Sequence, residues 1–342
     1  MKEPQTKVVP FKIGGQNILP GERKQIQIKI AALYDYTDLN MPIEVIRGKE
    51  DGPTLFISAA IHGDEINGVE IAKRLLQKKE LVKIKGILII IPVVNVFGFN
   101  HKSRYLPDRR DLNRSFPGSP KGSLAGRLAN IFMKEIVSKC THGIDLHTGA
   151  IHRSNLPQVR AFLDDKKTAE LAHAFGVPVI LHSRLKDGSL REAARKKRVK
   201  TLLFEGGEAL RFEEEVIRSG LRGCLSVMRE IGMLSKLKAL NPRKKNRSYV
   251  SRNSYWIRAN HSGSFCLKKH LGDHVQEGDV LAVISDPFGS EPYSLKAQST
   301  GIIIGISKIP LVNRGDAIFH IAQFTDTERV KEAIDLHDDS FF

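Results

Sequence analysis

Two short segments of the sequence carry residues that could bind a metal ion. His62 and Glu65 are three residues apart with Gly63 between them, and His147 lies in a second segment, residues 145–149. The first segment directly follows the apolar run at 54–61, the second lies at the end of a predicted strand, and α/β folds place their ligands at strand ends. Two histidines and one glutamate, with a fourth position open for water, form a known catalytic zinc arrangement. The combination predicts one metal site, although each motif alone is more typical of an exposed turn or a structural histidine.

The ligand types favour zinc, and another divalent ion could occupy the same set. Asp145 lies two residues before His147. It is a candidate partner that orients the imidazole through a hydrogen bond, and a purely structural role is an equal alternative.

A third segment, residues 111–118, has the composition of an anion-binding loop. It reads DLNRSFPG and follows Arg104 and the arginine pair at 109–110. Arginine holds a carboxylate through two parallel hydrogen bonds, so Arg114 and its neighbour Asn113 are candidates for binding an anionic substrate. For the pair at 109–110 we favour a surface role with local Asp–Arg pairs.

Glu205 is the candidate general base. It follows the apolar run at 201–204 and precedes Gly206 and Gly207. We predict that the strand ends at Glu205, where partial burial would raise the carboxyl pKa and suit the group to proton transfer. We prefer it to Glu208, which we expect in the following turn.

The elements that must position these residues alternate along the chain. Apolar residues recur with helical spacing over residues 66–76 and 124–136, and alternation over 25–31 suggests an edge hairpin. Continuous apolar runs predict buried strands at residues 54–61, 86–94, 177–181 and 199–204. The pattern predicts an α/β fold with a largely parallel or mixed central sheet flanked by helices.

A change of composition divides the sequence into parts. Residues 241–248, NPRKKNRS, are polar and charged and predict a linker, and the segment beyond it is rich in Gly, Val and Ile. We expect an α/β domain over residues 1–242, a small all-β domain over 249–325 that is sandwich- or barrel-like, and a tail over 326–342.

Composition limits the function classes. Hydrophobic residues make up 41% of the chain, no apolar run is long enough to span a bilayer, and no signal peptide is evident at the N-terminus. Three cysteines without CxxC spacing predict free thiols in a reducing cytoplasm. The net charge of +16 attracts anions. No nucleic-acid-binding motif accompanies it, so nucleic acid stays a minor alternative.

The four chemical segments resemble, in their order along the chain, the motifs of the succinylglutamate desuccinylase/aspartoacylase family, which is similar in fold to the zinc carboxypeptidases. They are HGDE at 62–65, DLNR at 111–114, DLHTG at 145–149 and LFEGG at 203–207. The resemblance spans about residues 50–235. It implies a zinc-carboxypeptidase-like domain that holds one zinc ion per chain.

The same resemblance implies a role for each site residue. His62, Glu65 and His147 would bind the zinc. Asn113 and Arg114 would bind the substrate carboxylate, and Arg104 fits the family's other arginine if a small insertion is allowed. Glu205 would be the catalytic residue that takes a proton from the attacking water and returns it to the leaving amine.

The C-terminal part is similar to biotinyl/lipoyl-type sandwiches in its Gly-Asp-x-Val-x-x-Gly-Asp run at 272–279. Such carriers hold a lysine at a hairpin tip, where this chain has Asp286 followed by Pro287. We therefore expect a structural or substrate-shaping domain, which could also support a homo-oligomer.

The resemblance implies a hydrolase that cleaves the amide bond of an N-acyl amino acid or a related acidic amide. One alternative is a carboxypeptidase-like enzyme that trims acidic residues from a peptide or protein. The other alternative is an inactive protein that binds anions or nucleic acid. The intact set of metal-binding and base residues argues against this alternative. No membrane partner is expected.

Overall fold

A computed structural model describes residues 9–236 and 248–339 of the chain. The predicted linker at 241–248 lies outside the described residues except for Ser248, so the domain boundary placed there stays a prediction. In the described part of the chain, no helix is both long enough and apolar enough to cross a membrane.

The described residues contain nineteen strands. In chain order they are β1 (Phe11–Ile13), β2 (Gln16–Ile18), β3 (Arg23–Ala32), β4 (Asp38–Arg47), β5 (Thr54–Ala59), β6 (Ile87–Ile91), β7 (His142–Gly149), β8 (Arg153–Ala161), β9 (Val179–His182), β10 (Lys200–Glu208), β11 (Tyr249–Ser251), β12 (Asn253–Arg258), β13 (Gly263–Leu267), β14 (His274–Val275), β15 (Val280–Ser285), β16 (Tyr293–Lys296), β17 (Gly301–Ser307), β18 (Leu311–Val312) and β19 (Ala317–Gln323).

Helices fill the connections between the strands. They are α1 (Asn67–Leu76), α2 (Val96–Asn100), α3 (Leu124–Glu135), α4 (Lys166–Phe175), α5 (Leu190–Lys196), α6 (Glu214–Glu230) and α7 (Thr327–Asp339). The two helices predicted from periodicity correspond to α1 and α3. Short 3-10 turns occur at Lys79–Lys83, Leu112–Arg114 and Val137–Lys139.

One mixed sheet of 13 strands runs through the molecule. Its centre consists of β6, β5, β7 and β10, which run parallel to one another, whereas β4 and β8 flank them in antiparallel orientation. The long β3–β4 hairpin forms one edge, where the sequence predicts a hairpin. The prediction of an α/β fold with a mixed central sheet is confirmed.

The C-terminal strands divide between two sheets. Strands β17, β19 and β12 extend the large sheet, because β17 pairs antiparallel with β8. Strands β13, β15, β16 and β18 form a separate four-stranded antiparallel sheet. The large sheet therefore continues across the predicted boundary and brings C-terminal side chains next to β8.

Each face of the central sheet has its own apolar core. Leu55 and Ile57 of β5 face helices α1, α4 and α6, whereas Phe56 between them faces α3 and α5. The alternation follows from the two-residue period of a strand. Both faces are covered, so a polar side chain on a central strand is buried. Because burying a polar group costs free energy, such a residue is a candidate for a functional role.

Candidate metal centre and active site

Strand register gathers the polar residues of the site on one face of the sheet. Along β7, Ile144 and Leu146 enter the core shared with α1, α4 and α6, so Asp145 and His147 point to the other face. His147 is register partner to Glu205 on β10. The alternation thus turns the general-base candidate and a metal-ligand candidate toward the same side of neighbouring strands.

The loop between β5 and α1 places His62 and Glu65 beside this face. The backbone N–H of Glu65 donates to the carbonyl of His62 over 3.1 Å and closes a tight turn. Gly63 is required there, because a Cβ atom would lie 2.0 Å from the backbone carbon of Gly98. The turn holds both side chains almost completely buried.

Three side chains converge in a geometry suited to a metal ion. The Nδ1 atoms of His62 and His147 each lie 2.7 Å from an oxygen of Glu65, one on each carboxylate oxygen. The ligand atoms of the three residues all lie within 4.8 Å of one another. Two imidazole nitrogens and a carboxylate oxygen form a donor set that zinc accepts, so these residues could hold the ion.

The other ring nitrogen of each histidine is hydrogen-bonded to a carboxylate. His62 Nε2 lies 3.0 Å from Asp111, and His147 Nε2 lies 2.7 Å from Asp145, which also accepts from Ser58 over 2.8 Å. A carboxylate at Nε2 favours the tautomer that carries its proton there and leaves Nδ1 free to bind a metal. Of these partners, the sequence indicated Asp145 and missed Asp111.

Burial and charge oppose each other in this group. Burial alone would raise the pKa of Glu65, but the two adjacent histidines outweigh it and hold that pKa well below its usual range. Burial would lower the pKa of His147, but Asp145 and Glu65 raise it well above its ordinary value. Glu65 is therefore an ionised carboxylate, the form that binds metals.

Arg104 contacts two carboxylates of the site, those of Glu65 and Asp111. Its guanidinium donates to Glu65 over 2.9 Å and to Asp111 over 3.3 Å. Arg104 also lines the adjoining cavity, and 26% of its side chain remains exposed. It thus links two carboxylates of the site and still presents a surface to a ligand.

Asn113 and Arg114 lie in a 3-10 turn that lines the cavity. Asp111 caps the turn by accepting from the Asn113 backbone N–H over 2.8 Å. Asn113 is buried, and its side-chain oxygen accepts from the Leu190 backbone N–H over 2.9 Å. Arg114 is exposed and donates to the Asn113 carbonyl. The anion-binding candidates are therefore next to the metal-ligand candidates.

Glu205 lies inside β10, so the prediction that the strand ends there is wrong. The strand continues to Glu208, but its regular pairing with β7 and β8 is interrupted just after Glu205. Gly207 causes the irregularity with a φ of 71°, which favours glycine. The bulge leaves the Glu205 carboxylate in the cavity with 18% of its side chain exposed.

An arginine that the sequence did not indicate contacts Glu205. Arg160 of β8 places its Nε atom 2.5 Å from a Glu205 oxygen, which makes an ion pair although the N–H is not well aligned for a hydrogen bond. The register pairs Arg160 with Leu203, two residues before Glu205 on the same face. Only strand pairing brings the two charged groups together.

A cavity of about 370 Å³ joins these groups. Besides the residues predicted from the sequence, it is lined by four basic side chains and one aromatic side chain, namely Arg153, Arg160, Lys186, Arg191 and Trp256. Trp256 comes from the C-terminal part, where it stacks on His320 with ring centroids 4.5 Å apart and contacts the Arg153 guanidinium. No sequence signal distinguished these residues from a basic surface.

Comparison with known proteins agrees with this geometry. A family model described as the succinylglutamate desuccinylase/aspartoacylase catalytic domain matches residues 51–231. An N-alpha-acetyl-L-2,4-diaminobutyric acid deacetylase from Halomonas elongata is 27% identical over 300 residues, which are 84% of this chain and 86% of the relative.

Solved structures share the fold. The ectoine utilization protein EutE from Ruegeria pomeroyi, in a product-bound structure, superposes with a TM-score of 0.78 at 25% identity, over 88% of this chain and 94% of its own. A succinylglutamate desuccinylase/aspartoacylase from Rhodobacter sphaeroides superposes with a TM-score of 0.79 at 24% identity, over 88% and 96% of the chains. The similarity extends beyond the region matched by the family model.

Proposed function

The chain belongs to the succinylglutamate desuccinylase/aspartoacylase family of deacylases, and we propose that it is a zinc-dependent hydrolase that cleaves the amide bond of a small N-acyl amino acid. The observation that carries the proposal is the convergence of His62, Glu65 and His147 beside Glu205 in one cavity. A deacetylase of an N-acetylated amino acid among its relatives supports the small substrate.

The metal ligands of the proposed enzyme are His62, Glu65 and His147, which would hold one zinc ion per chain. When bound, zinc supplies Lewis-acid chemistry, in which it acidifies water and polarises a carbonyl. Asp111 and Asp145 orient the two imidazoles through Nε2, so the ligands need little rearrangement.

Glu205 is the proposed catalytic residue. It takes a proton from the water that attacks the amide carbon and returns the proton to the nitrogen of the leaving amino acid. Its place on β10 next to His147 on β7 puts the carboxylate beside the metal ligands. Arg160 holds the carboxylate through their ion pair.

Three residues are proposed to bind the substrate. Asn113 and Arg114 line the cavity from one turn and would bind the carboxylate of the amino-acid part, which fixes the amide relative to Glu205. Arg104 would contribute its exposed edge while it holds Glu65.

The proposal is tested by metal analysis together with a hydrolysis assay. We expect about one zinc ion per purified chain, and turnover of at least one member of a panel of N-acyl amino acids. His62→Ala and His147→Ala should each lose the metal and the activity, because two ligands cannot keep the ion in place. The matched control is His101→Ala, which removes a histidine outside the cavity lining.

A metal-free parent that hydrolyses nothing in the panel, even after incubation with zinc, would contradict the proposal. Zinc-dependent release of acidic residues from peptides, without turnover of small N-acyl amino acids, would instead support the carboxypeptidase-like alternative.

A further inference from the structure

The backbone that presents Glu205 is irregular directly after that residue. Two residues of β10, Gly206 and Gly207, lie opposite the single residue Thr148 of β7. The backbone N–H of Thr148 donates to the Glu65 carboxylate over 3.1 Å. The bulge that follows the proposed base is therefore next to a backbone group that holds a proposed metal ligand, so whatever fixes the bulge affects both.

Glu213 contacts this bulge from the start of helix α6. Its carboxylate accepts from the backbone N–H of Glu208 over 2.6 Å, a short hydrogen bond of the kind that a carboxylate makes with a backbone N–H. The same carboxylate packs on Gly207, where a Cβ atom would lie 2.4 Å from Glu213 Oε1. The bulge and the Glu213 side chain therefore fit each other only while the residue between them is glycine.

The position of Glu213 in its helix makes this contact informative. Glu213 is the N-cap residue of α6, yet among the described residues its carboxylate accepts from the β10 backbone and not from the first turn of that helix. An N-cap side chain ordinarily stabilises its own helix by accepting from those N–H groups. Here the side chain gives up that local role, which indicates that it serves the strand.

Two further hydrogen bonds join this region to the turn that carries metal-ligand candidates. The Glu213 backbone N–H donates to the side-chain oxygen of Asn67 over 3.0 Å, and Asn67 is only 1% exposed. The Leu210 backbone N–H donates to the carbonyl of Asp64 over 2.8 Å, and Asp64 directly precedes Glu65. The segment after the bulge is thus tied at two points to the segment that supplies the metal ligands.

We propose that Glu213 is a positioning residue that, through Asn67 and the β10 bulge, sets where Glu205 lies relative to the metal ligands. Glu213 is outside the cavity lining, so its side chain acts on the backbone and not on the substrate. This inference rests on the proposed function and adds to it a residue beyond the cavity. The geometry matters because a displacement of about 1 Å at a reacting group can cost about 100-fold in rate.

The first test removes the carboxylate in Glu213→Ala. We expect kcat to fall by about 10- to 100-fold, because the bulge loses its support and Glu205 shifts. KM and zinc content should stay close to those of the parent, because the proposed substrate and metal residues are kept. Glu213→Gln retains an oxygen that can accept from Glu208 and should recover most of the loss. Glu215→Ala is the matched control, since Glu215 is exposed in the first turn of the same helix.

A second measurement separates positioning from a general structural role. If Glu213 acts through Glu205, its removal costs nothing more once the base is gone, so Glu205→Gln/Glu213→Ala should have the kcat of Glu205→Gln alone. A general structural role would lower kcat further in the double variant. Glu213→Asp draws the carboxylate back by one methylene and keeps its charge. It should show a smaller fall in kcat than Glu213→Ala, and it keeps the test decisive if Glu213→Ala does not fold.

Parental kcat in Glu213→Ala, or in Glu213→Asp where only that variant folds, would overturn the positioning role and leave the deacylase function standing. A loss that adds in full to that of Glu205→Gln would overturn it as well. If the parent hydrolyses no amide, hydrogen–deuterium exchange replaces kinetics. Faster exchange of the β10 backbone around Glu208 in Glu213→Ala, reversed in Glu213→Gln, supports the role, and unchanged exchange overturns it.

Discussion

The two sides of the cavity differ in how completely the protein satisfies its own polar groups. On the metal side, His62, Glu65, His147 and Asp145 have hydrogen-bond partners for their buried side-chain polar atoms. On the basic side, Arg160 Nε and Glu205 Oε2 are buried without a well-formed hydrogen bond. The protein alone therefore satisfies the buried polar atoms of these metal-side residues, whereas on the basic side two such atoms lack a hydrogen-bond partner.

The difference has a physical meaning. A hydrogen-bonded ligand set needs little rearrangement when an ion enters, which is how binding sites are preorganised. Arg160 and Glu205 instead neutralise each other's charge but leave hydrogen-bonding capacity unused. The metal side is therefore preorganised for an ion, whereas the basic side keeps polar groups that a ligand can engage.

The largest expected effect is at Glu205, which belongs to both sides because it lies next to His147 and pairs with Arg160. Glu205→Gln keeps the shape and removes the base, so kcat should fall by about 10²- to 10⁴-fold while zinc content stays that of the parent. Steady-state kinetics and metal analysis of the same preparation measure both.

The matched control for this change is Glu208→Gln. Glu208 lies on the same strand, outside the cavity lining, and accepts from the His152 backbone N–H over 3.0 Å. Its replacement should leave kcat within severalfold of the parent. Near-parental kcat in Glu205→Gln would remove Glu205 as the base.

The metal side could be predicted from sequence because its chemistry is local. His62 and Glu65 share one turn, and Asp145 and His147 alternate on one strand, so type and spacing carried the signal. The basic side could not be predicted in this way. Its cations come from strand β8, the loop after β9 and helix α5, and only register and packing show that they share a cavity.

The fold was predictable to a similar degree. Continuous apolar runs located β5, β6 and β10 of the central sheet, since burial on both faces leaves a strong signal. The pairing of β17 with β8 joins distant segments and has no local signature. The end of β10 was misplaced because two glycines after Glu205 suggest a turn, whereas the structure uses them in a bulge inside the strand.

The next largest expected effect is the loss of zinc affinity when Asp145, on the metal side, is replaced by asparagine. Asp145→Asn keeps the size but removes the charge that orients His147 through Nε2, and zinc affinity should fall by about 10- to 100-fold. Competition with a chelator measures the affinity. Ser58→Ala, which removes only a hydrogen bond to Asp145, should have a smaller effect. Equal zinc affinity in parent and Asp145→Asn would show that the carboxylate does not orient the ligand.

The smallest expected effect is the change in KM when Arg114, on the basic side of the cavity, is replaced by lysine. Arg114→Lys keeps the positive charge but loses the planar fork that binds a carboxylate through two hydrogen bonds. We expect KM to rise by about tenfold with kcat nearly unchanged, since one charged hydrogen bond of this kind is lost in substrate and transition state alike. Arg110→Lys is the control, because its side chain is 63% exposed and its ion-pair partner is Asp108. An equal KM in parent and Arg114→Lys would exclude Arg114 from carboxylate binding.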